Sequence, residues 1–201
     1  MEIILDKKTI AYYDSSAQVY LDKTSRKKPD SDLLSFIAAT PPGGDILDFG
    51  CGPGNSAAMM RAAGLTVHAS DGSLEMVRIA AKHFGINAVH ADFNELDDIK
   101  KYNSIWANFS LLHAPRGEMP SNLSRIFTAL KPSGYLHLGL KIGNGEKRDK
   151  LGRNYTFYQP NELSSLLISA GFSLHSQRID TNGTISMTGA LEPFMIVTAY
   201  A

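Results

Sequence analysis

From Gly44 onward the apolar positions switch repeatedly between the short runs of a buried strand and the three-to-four spacing of a helix. Residues 45–50 (DILDFG) form a short apolar run that ends in glycine, and residues 55–63 predict a helix that stops at Gly64. LTVHASD (65–71) predicts the next strand. Residues 73–84 predict a helix with Ser73 as N-cap and Gly85 past its end. INAVHAD (86–92) and NSIWANFS (103–110) predict two further strands. Leu123, Ile126, Phe127 and Leu130 fall at helical spacing within 120–131, with Pro120 tolerated at the start. GYLHLGLK (134–141) predicts a fifth strand, and residues 160–171 a helix between Pro160 and Gly171. Two late strands (172–180 and 194–200) flank the turn-rich TNGTISMTG. Strands alternating with helices of this length imply βαβ units, hence an α/β fold with a parallel sheet covered on both faces. Before Gly44, residues 10–25 and 31–39 predict two amphipathic helices split by the basic RKKPD, a cap over the sheet. The expected division is one domain over 1–201: cap 1–43, core 44–141, and substrate-side loop with late strands 142–201.

Composition narrows the function classes. With 43% hydrophobic and 20% charged residues, 201 residues can bury a real core. The formal net charge of zero argues against a nucleic-acid partner, although the RKK segment could touch phosphate locally. The N-terminal residues lack the apolar core of a signal peptide, and no stretch approaches the length of a membrane span. Cys51 is the only cysteine, so there is no intramolecular disulfide and no CxxC metal site, and no metal is expected. A reducing, cytoplasmic setting fits. Oligomeric state is open.

The stretch ILDFGCGPGNSA (46–57) carries the first chemical signal. A strand that runs through glycines into a helix lets a ligand approach bare backbone and meet unpaired N–H groups. Gly50, Gly52 and Gly54 suit an elongated ligand containing adenosine; without a ligand they would make only a tight turn. A dinucleotide fingerprint is G-x-G-x-x-G, whereas here the spacing is G-x-G-x-G with Asn55 next. A carboxylate at Asp48 is unfavourable beside a pyrophosphate and useful beside a cation. Asp71 closes the next strand, where an acid accepts from ribose hydroxyls. Asp92, followed by Phe93, is placed to accept from an adenine amino group while the ring stacks on the base. Each of these aspartates could instead be a turn or cap residue.

DFGCGPG, HASDGS, HADF, ANFSLLH and LKPSGYLHLG together resemble the class I S-adenosylmethionine (SAM)-dependent methyltransferases, of the small-molecule, methyltransferase-11-like type, over about residues 40–141. The resemblance implies a Rossmann-like, doubly wound, seven-stranded, mostly parallel sheet whose last strand is antiparallel. It implies that Asp48, Gly50, Cys51, Gly52 and Gly54 wrap the methionine part and the ribose, with Cys51 a small packing residue in the turn. Asp71 would hold the ribose, with Gly72, Ser73 and Met76 beside the adenine, and Asp92 with Phe93 its edge. Asn108, Phe109 and Ser110 would meet the amino-acid end and the substrate. The cofactor would be SAM and the product S-adenosylhomocysteine (SAH).

The acceptor is less legible. A sulfonium methyl needs chiefly positioning and exclusion of water, so no catalytic side chain need stand out. The D/N-P-P-Y/F tetrapeptide of amino-directed family members is absent after the fourth strand, and a cysteine confined to the turn argues against covalent attack on a pyrimidine. His113 is the candidate general base, or else a loop histidine. Tyr12, Tyr13 and Tyr20 in the cap, and Tyr155, Phe157 and Tyr158 after the loop KIGNGEKRDKLGRN, are candidate substrate-side residues or core packing. That loop carries both signs of charge and reads first as a solvated loop; in the sharper reading Lys141, Arg148 or Arg153 recognises an anionic substrate. The expected function is methyl transfer to an O, N or S atom of a small molecule. The alternatives are an NAD(P)-linked oxidoreductase and a SAM-binding protein without turnover.

Overall fold

The computed structural model describes residues 6–185, 189 and 191–201. Two helices precede the sheet: α1 (Lys7–Thr24) and α2 (Ser31–Ala39). Both begin at an aspartate whose side chain accepts from the third backbone N–H, Asp6 from Thr9 (2.8 Å) and Asp30 from Leu33 (2.9 Å). The core continues as β1 (Asp45–Phe49), α3 (Asn55–Ala62), β2 (Thr66–Asp71), α4 (Leu74–Phe84), β3 (Val89–His90), β4 (Tyr102–Asn108), α5 (Met119–Ala129) and β5 (Leu130–Lys141). A small hairpin, β6 (Glu146–Arg148) and β7 (Asn154–Thr156), leads to α6 (Pro160–Ser169), β8 (Ser173–Ile185) and β9 (Leu191–Tyr200).

One seven-stranded sheet has the order β3-β2-β1-β4-β5-β9-β8. The pairs among β1 to β5 are parallel, and β9, the last strand in the chain, is inserted antiparallel between β5 and β8. This is the expected Rossmann-like sheet. Strand periodicity divides the residues of each strand between two helical layers. Leu47, Phe49, Ile105, Ala107, Leu136 and Leu138 face α5 and α6 in the larger core, whereas Ile46, Trp106 and Tyr135 join Leu33, Phe36 and Met60 on the side of α2 and α3. Alternation puts Asp48, Asn108, His137 and Gly139 on this second face. The strand order reverses between β1 and β4, so the crevice outside their carboxyl ends is where such a sheet leaves room for a ligand.

Local expectations hold best where capping chemistry is explicit. Ser73 accepts from Met76 N–H (3.2 Å), and Gly85 ends α4 in the left-handed region at φ 61°. Several boundaries differ. The strand expected over 86–92 pairs only at Val89 and His90, because this edge segment turns at once into a 3-10 turn at Phe93–Glu95 capped by Asp92. The helix expected to run to 131 ends at 129, and β5 begins early because Leu130 pairs with Tyr102. The loop after Lys141 contains the β6–β7 hairpin, which its mixed charges concealed. β8 continues through part of TNGTISMTG to Ile185; residues 186–188 of that stretch, and 190 after it, lie outside the described residues. No helix among the described residues is long and apolar enough to cross a membrane.

Candidate active site

A cavity of ≈ 250 Å³ opens at the carboxyl ends of β1, β2 and β4, beneath α1. Its lining brings together most of the cofactor candidates singled out above: Asp48, Gly50, Cys51 and Gly52 from the first turn; Asp71, Gly72 and Met76 from the second; Asp92 and Phe93 from the third; and Asn108, Phe109 and Ser110 after β4, together with His113 and, from α1, Tyr20. Tyr13 lines it as well.

Asp48 is the central charge. It is 3% exposed, and its Oδ2 has no hydrogen-bond partner among the described residues. Burial raises its carboxyl to about 7, the negative charge of Asp71 adds to this, and the Ala57 N–H and the Arg26 charge oppose it. A buried carboxylate oxygen without a partner, on a residue that lines a cavity, is costly unless a cation or donor meets it.

The glycines answer to space. At Gly50 (φ 78°) a Cβ would stand 2.3 Å from the Cβ of Ser110, whose Oγ is itself held by donating to Phe49 C=O (2.6 Å). At Gly52 (φ 53°) the nearest atom to a Cβ is Tyr20 Cε1 at 4.0 Å, so the missing side chain leaves open cavity. Gly54 does not line the cavity; it lets α3 approach Ala80, whose Cβ would be 2.9 Å from an added one. Ser73 is also off the lining, fully buried as the α4 cap and donating to Asp14 Oδ1 of α1 (2.6 Å).

Asp71 is held by the N–H groups of Gly52 (2.7 Å) and Ser73 (2.9 Å), yet burial still raises its carboxyl. Asp92 has its carboxyl raised by burial too, while it accepts from Phe93 N–H (2.6 Å). It is therefore a cap residue and a cavity residue at once. Phe93 packs edge-on against Phe49 at 5.0 Å. Asn108 Oδ1 meets His137 Nε2 at 3.1 Å, in a space that Gly139 leaves free. His137 stacks on Trp106 at 3.8 Å, and burial lowers it to about 3.

His113 Nδ1 lies 2.7 Å from the carbonyl of Asn154, and Nε2 lies 2.7 Å from Tyr13 Oη. A carbonyl only accepts, so Nδ1 carries the proton of the neutral ring and Nε2 accepts from Tyr13. Arg153 Nη1 in turn donates to Tyr13 Oη (3.2 Å). Burial lowers His113 to about 4; the Asn154 contact opposes this, and the Arg153 and Lys141 charges reinforce it. The ring is neutral at any ordinary pH.

The remaining substrate-side candidates sit behind this wall. Tyr12 stacks edge-on against Tyr13 (5.5 Å), Tyr155 against His113 (4.7 Å) and Phe157 beyond Tyr155 (6.3 Å). Tyr158 is 1% exposed beneath the Arg116 guanidinium (4.8 Å). None of these four is in the lining. The three cations offered as partners for an anion are each matched by a carboxylate: Lys141 by Glu192, Arg148 by Asp6 (3.0 Å) and Arg153 by Asp149 (2.6 Å). Sequence reasoning missed Arg26, Trp106, Asp6, Thr9 and Glu118 in the lining. Trp106 was within reach of strand alternation, two residues before Asn108. Arg26 was marked only as part of the basic RKK segment; it donates to Ser56 Oγ (3.1 Å) and keeps a buried Nε without a partner among the described residues.

A family model described as a methyltransferase domain matches residues 21–177, more than half of the chain. The chain belongs to that family. The methyltransferase fold recurs in solved structures of low identity. The 1,6-didemethyltoxoflavin-N1-methyltransferase of Burkholderia thailandensis, solved with 1,6-didemethyltoxoflavin and SAH bound, superposes with a TM-score of 0.74 at 21% identity, covering 95% of this chain and 84% of that one. A SAM-dependent methyltransferase of Methanosarcina mazei gives 0.73 at 19%, covering 87% and 98%. The [4+2]-cyclase SpnF gives 0.74 at 18%, covering 98% and 97%. No curated protein matches the sequence.

Proposed function

We propose that the cavity binds SAM and that this methyltransferase-family domain transfers its methyl group to an O, N or S atom of a small molecule. The observation that carries the reading is the unpartnered Oδ2 of Asp48 beside a glycine-cleared turn. It fits the ammonium of an amino-acid tail. The unpartnered Nε of Arg26 in the same cavity fits the carboxylate of that tail. Asp71 accepts from the ribose hydroxyls, and Asp92 and Phe93 hold the adenine edge and face. Within this reading residues 1–43 cap the site, 44–141 hold the cofactor and 142–201 complete the acceptor side. A reducing, cytoplasmic setting is part of it, supported by the lone, buried Cys51. A dinucleotide is disfavoured because its pyrophosphate would lie among Asp48, Asp71 and Asp92.

When bound, SAM supplies a sulfonium-activated methyl for in-line displacement. The chain's part is to orient, exclude water and take up a proton. Tyr13 and His113 are the groups placed to take up that proton. As Tyr13 Oη receives it from the acceptor, its own passes to His113 Nε2, leaving a neutral phenol and an imidazolium.

Two measurements test this. Calorimetric titration should show one site for SAM and SAH and none for NADH; NADH binding without SAM would overturn the reading. With an acceptor found by assaying a panel for SAH release, His113→Ala should lower turnover on the order of 10²-fold, with a much smaller change in SAM affinity. The wild-type profile should show no limb near 6.5, the ordinary histidine value, because His113 titrates at about 4. Equal turnover in the variant, or a limb near 6.5 that it abolishes, would remove His113 from the chemistry.

A further inference from the structure

We infer that the acceptor is an uncharged or cationic molecule that presents an N–H or O–H to Tyr13 Oη, and that anionic acceptors are excluded. The inference rests on SAM occupying the cavity and names the substrate class of that site. It comes from which polar valences remain unused. A phenol has one proton and two acceptor positions. The tautomer of His113, set by the carbonyl of Asn154, draws the Tyr13 proton to Nε2, and Arg153 takes one acceptor position. Tyr13 is left with one acceptor position and no proton to offer. A carboxylate, phosphate or carbonyl oxygen there would meet a lone pair, whereas an amine or hydroxyl would find a partner.

The charges agree. The cations around the His113 wall are consumed within the protein: Arg153 by Asp149 through Nε (2.9 Å) and Nη2 (2.6 Å), Lys141 by Glu192 and Arg148 by Asp6. The Arg148 hydrogen bond is the main reason that the Asp6 carboxyl is lowered to about 2. With SAM bound, Asp48 faces its ammonium, and the cavity still carries Asp71, Asp92 and Glu118 without a cationic side-chain hydrogen-bond partner among the described residues. The guanidinium of Arg26, also in the lining, is paired with Asp30. A negative, poorly solvated cavity attracts cations and repels anions.

Sinefungin probes this before the acceptor is known, since it is a SAM analogue carrying an amine where SAM carries the transferable methyl. Calorimetry on the wild-type protein should show sinefungin binding more tightly than SAH, on the order of tenfold. In Tyr13→Phe this ratio should fall towards one. In His113→Leu, which keeps the hydroxyl but frees its proton to turn towards the ligand, the ratio should fall as well. A wild-type ratio of one or less, or a ratio unchanged in both variants, would overturn the inference while leaving SAM binding intact. Failure of SAH itself to bind would instead overturn the function proposed above.

Discussion

Asp48→Asn should make the ligand-free protein more stable at pH 8 and at the same time remove most of its affinity for SAM. The folded carboxyl keeps its proton up to about pH 7, the unfolded one only to 3.8. Between those values the native state binds more protons than the unfolded state, so stability falls as pH rises, and above pH 7 the full cost of the buried charge is present. A rise of this size corresponds to an upper bound of about 4 kcal/mol. Relaxation and water entry reduce this to about 2 kcal/mol, or roughly 4–8 °C in Tm for a domain of this length. Asparagine keeps an oxygen for the Ala57 N–H and loses the charge. The gain should therefore shrink towards zero as the pH is lowered below 4. SAM affinity should fall on the order of 10²-fold, the worth of a buried hydrogen bond between charges. Wild-type affinity should decline as pH drops below about 7, and the variant should lack that decline. Thermal scans at pH 5 and 8 with SAM titrations check both halves; an unchanged Tm difference across pH together with unchanged affinity would contradict the role of Asp48.

The glycine turn yields a second large effect, and it divides fold from function. Gly50→Ala forces a Cβ to within 2.3 Å of Ser110 Cβ at φ 78°. Left-handed strain and overpacking together should cost about 3 kcal/mol, roughly 6–12 °C in Tm. At Gly52 a Cβ meets nothing closer than Tyr20 Cε1 at 4.0 Å, so in Gly52→Val the fold should survive with a smaller loss while the side chain fills the ligand's space. Scanning calorimetry should thus rank Gly50→Ala as the less stable, and SAH titration should show binding lost in Gly52→Val despite cooperative unfolding. Wild-type SAH affinity in Gly52→Val would mean that no ligand lies along this backbone.

The order of elements, the glycine turn and the strand-end carboxylates were legible because each rests on local chemistry. Ser73 announces a cap, Gly85 a helix end, and alternation along DILDF and YNSIWAN places Asp48 and Asn108. Two things were not. The edge strand Val89–His90 is cut short by the 3-10 turn at Phe93–Glu95, and the β6–β7 hairpin is held by pairing between Arg148 and Asn154 across a charged turn. Ion pairing was likewise hidden: Arg148 and Asp6 are 142 residues apart, and no local pattern shows that a basic residue is already matched. Lys141, Arg148 and Arg153, open in the sequence to an anionic substrate or to a solvated loop, are each paired within the protein. The fold alone would not have settled the chemistry, as the likeness to a [4+2]-cyclase makes plain; the side chains in the cavity carry that weight.

A crystal structure of the protein with SAH tests the central claim most directly. The account predicts the amino nitrogen of SAH within hydrogen-bond distance of Asp48 Oδ2, the ribose hydroxyls on Asp71, and the adenine between Phe93 and the carboxylate of Asp92. SAH bound with its amino-acid end away from Asp48, or a cavity left empty at saturating SAH, would contradict it.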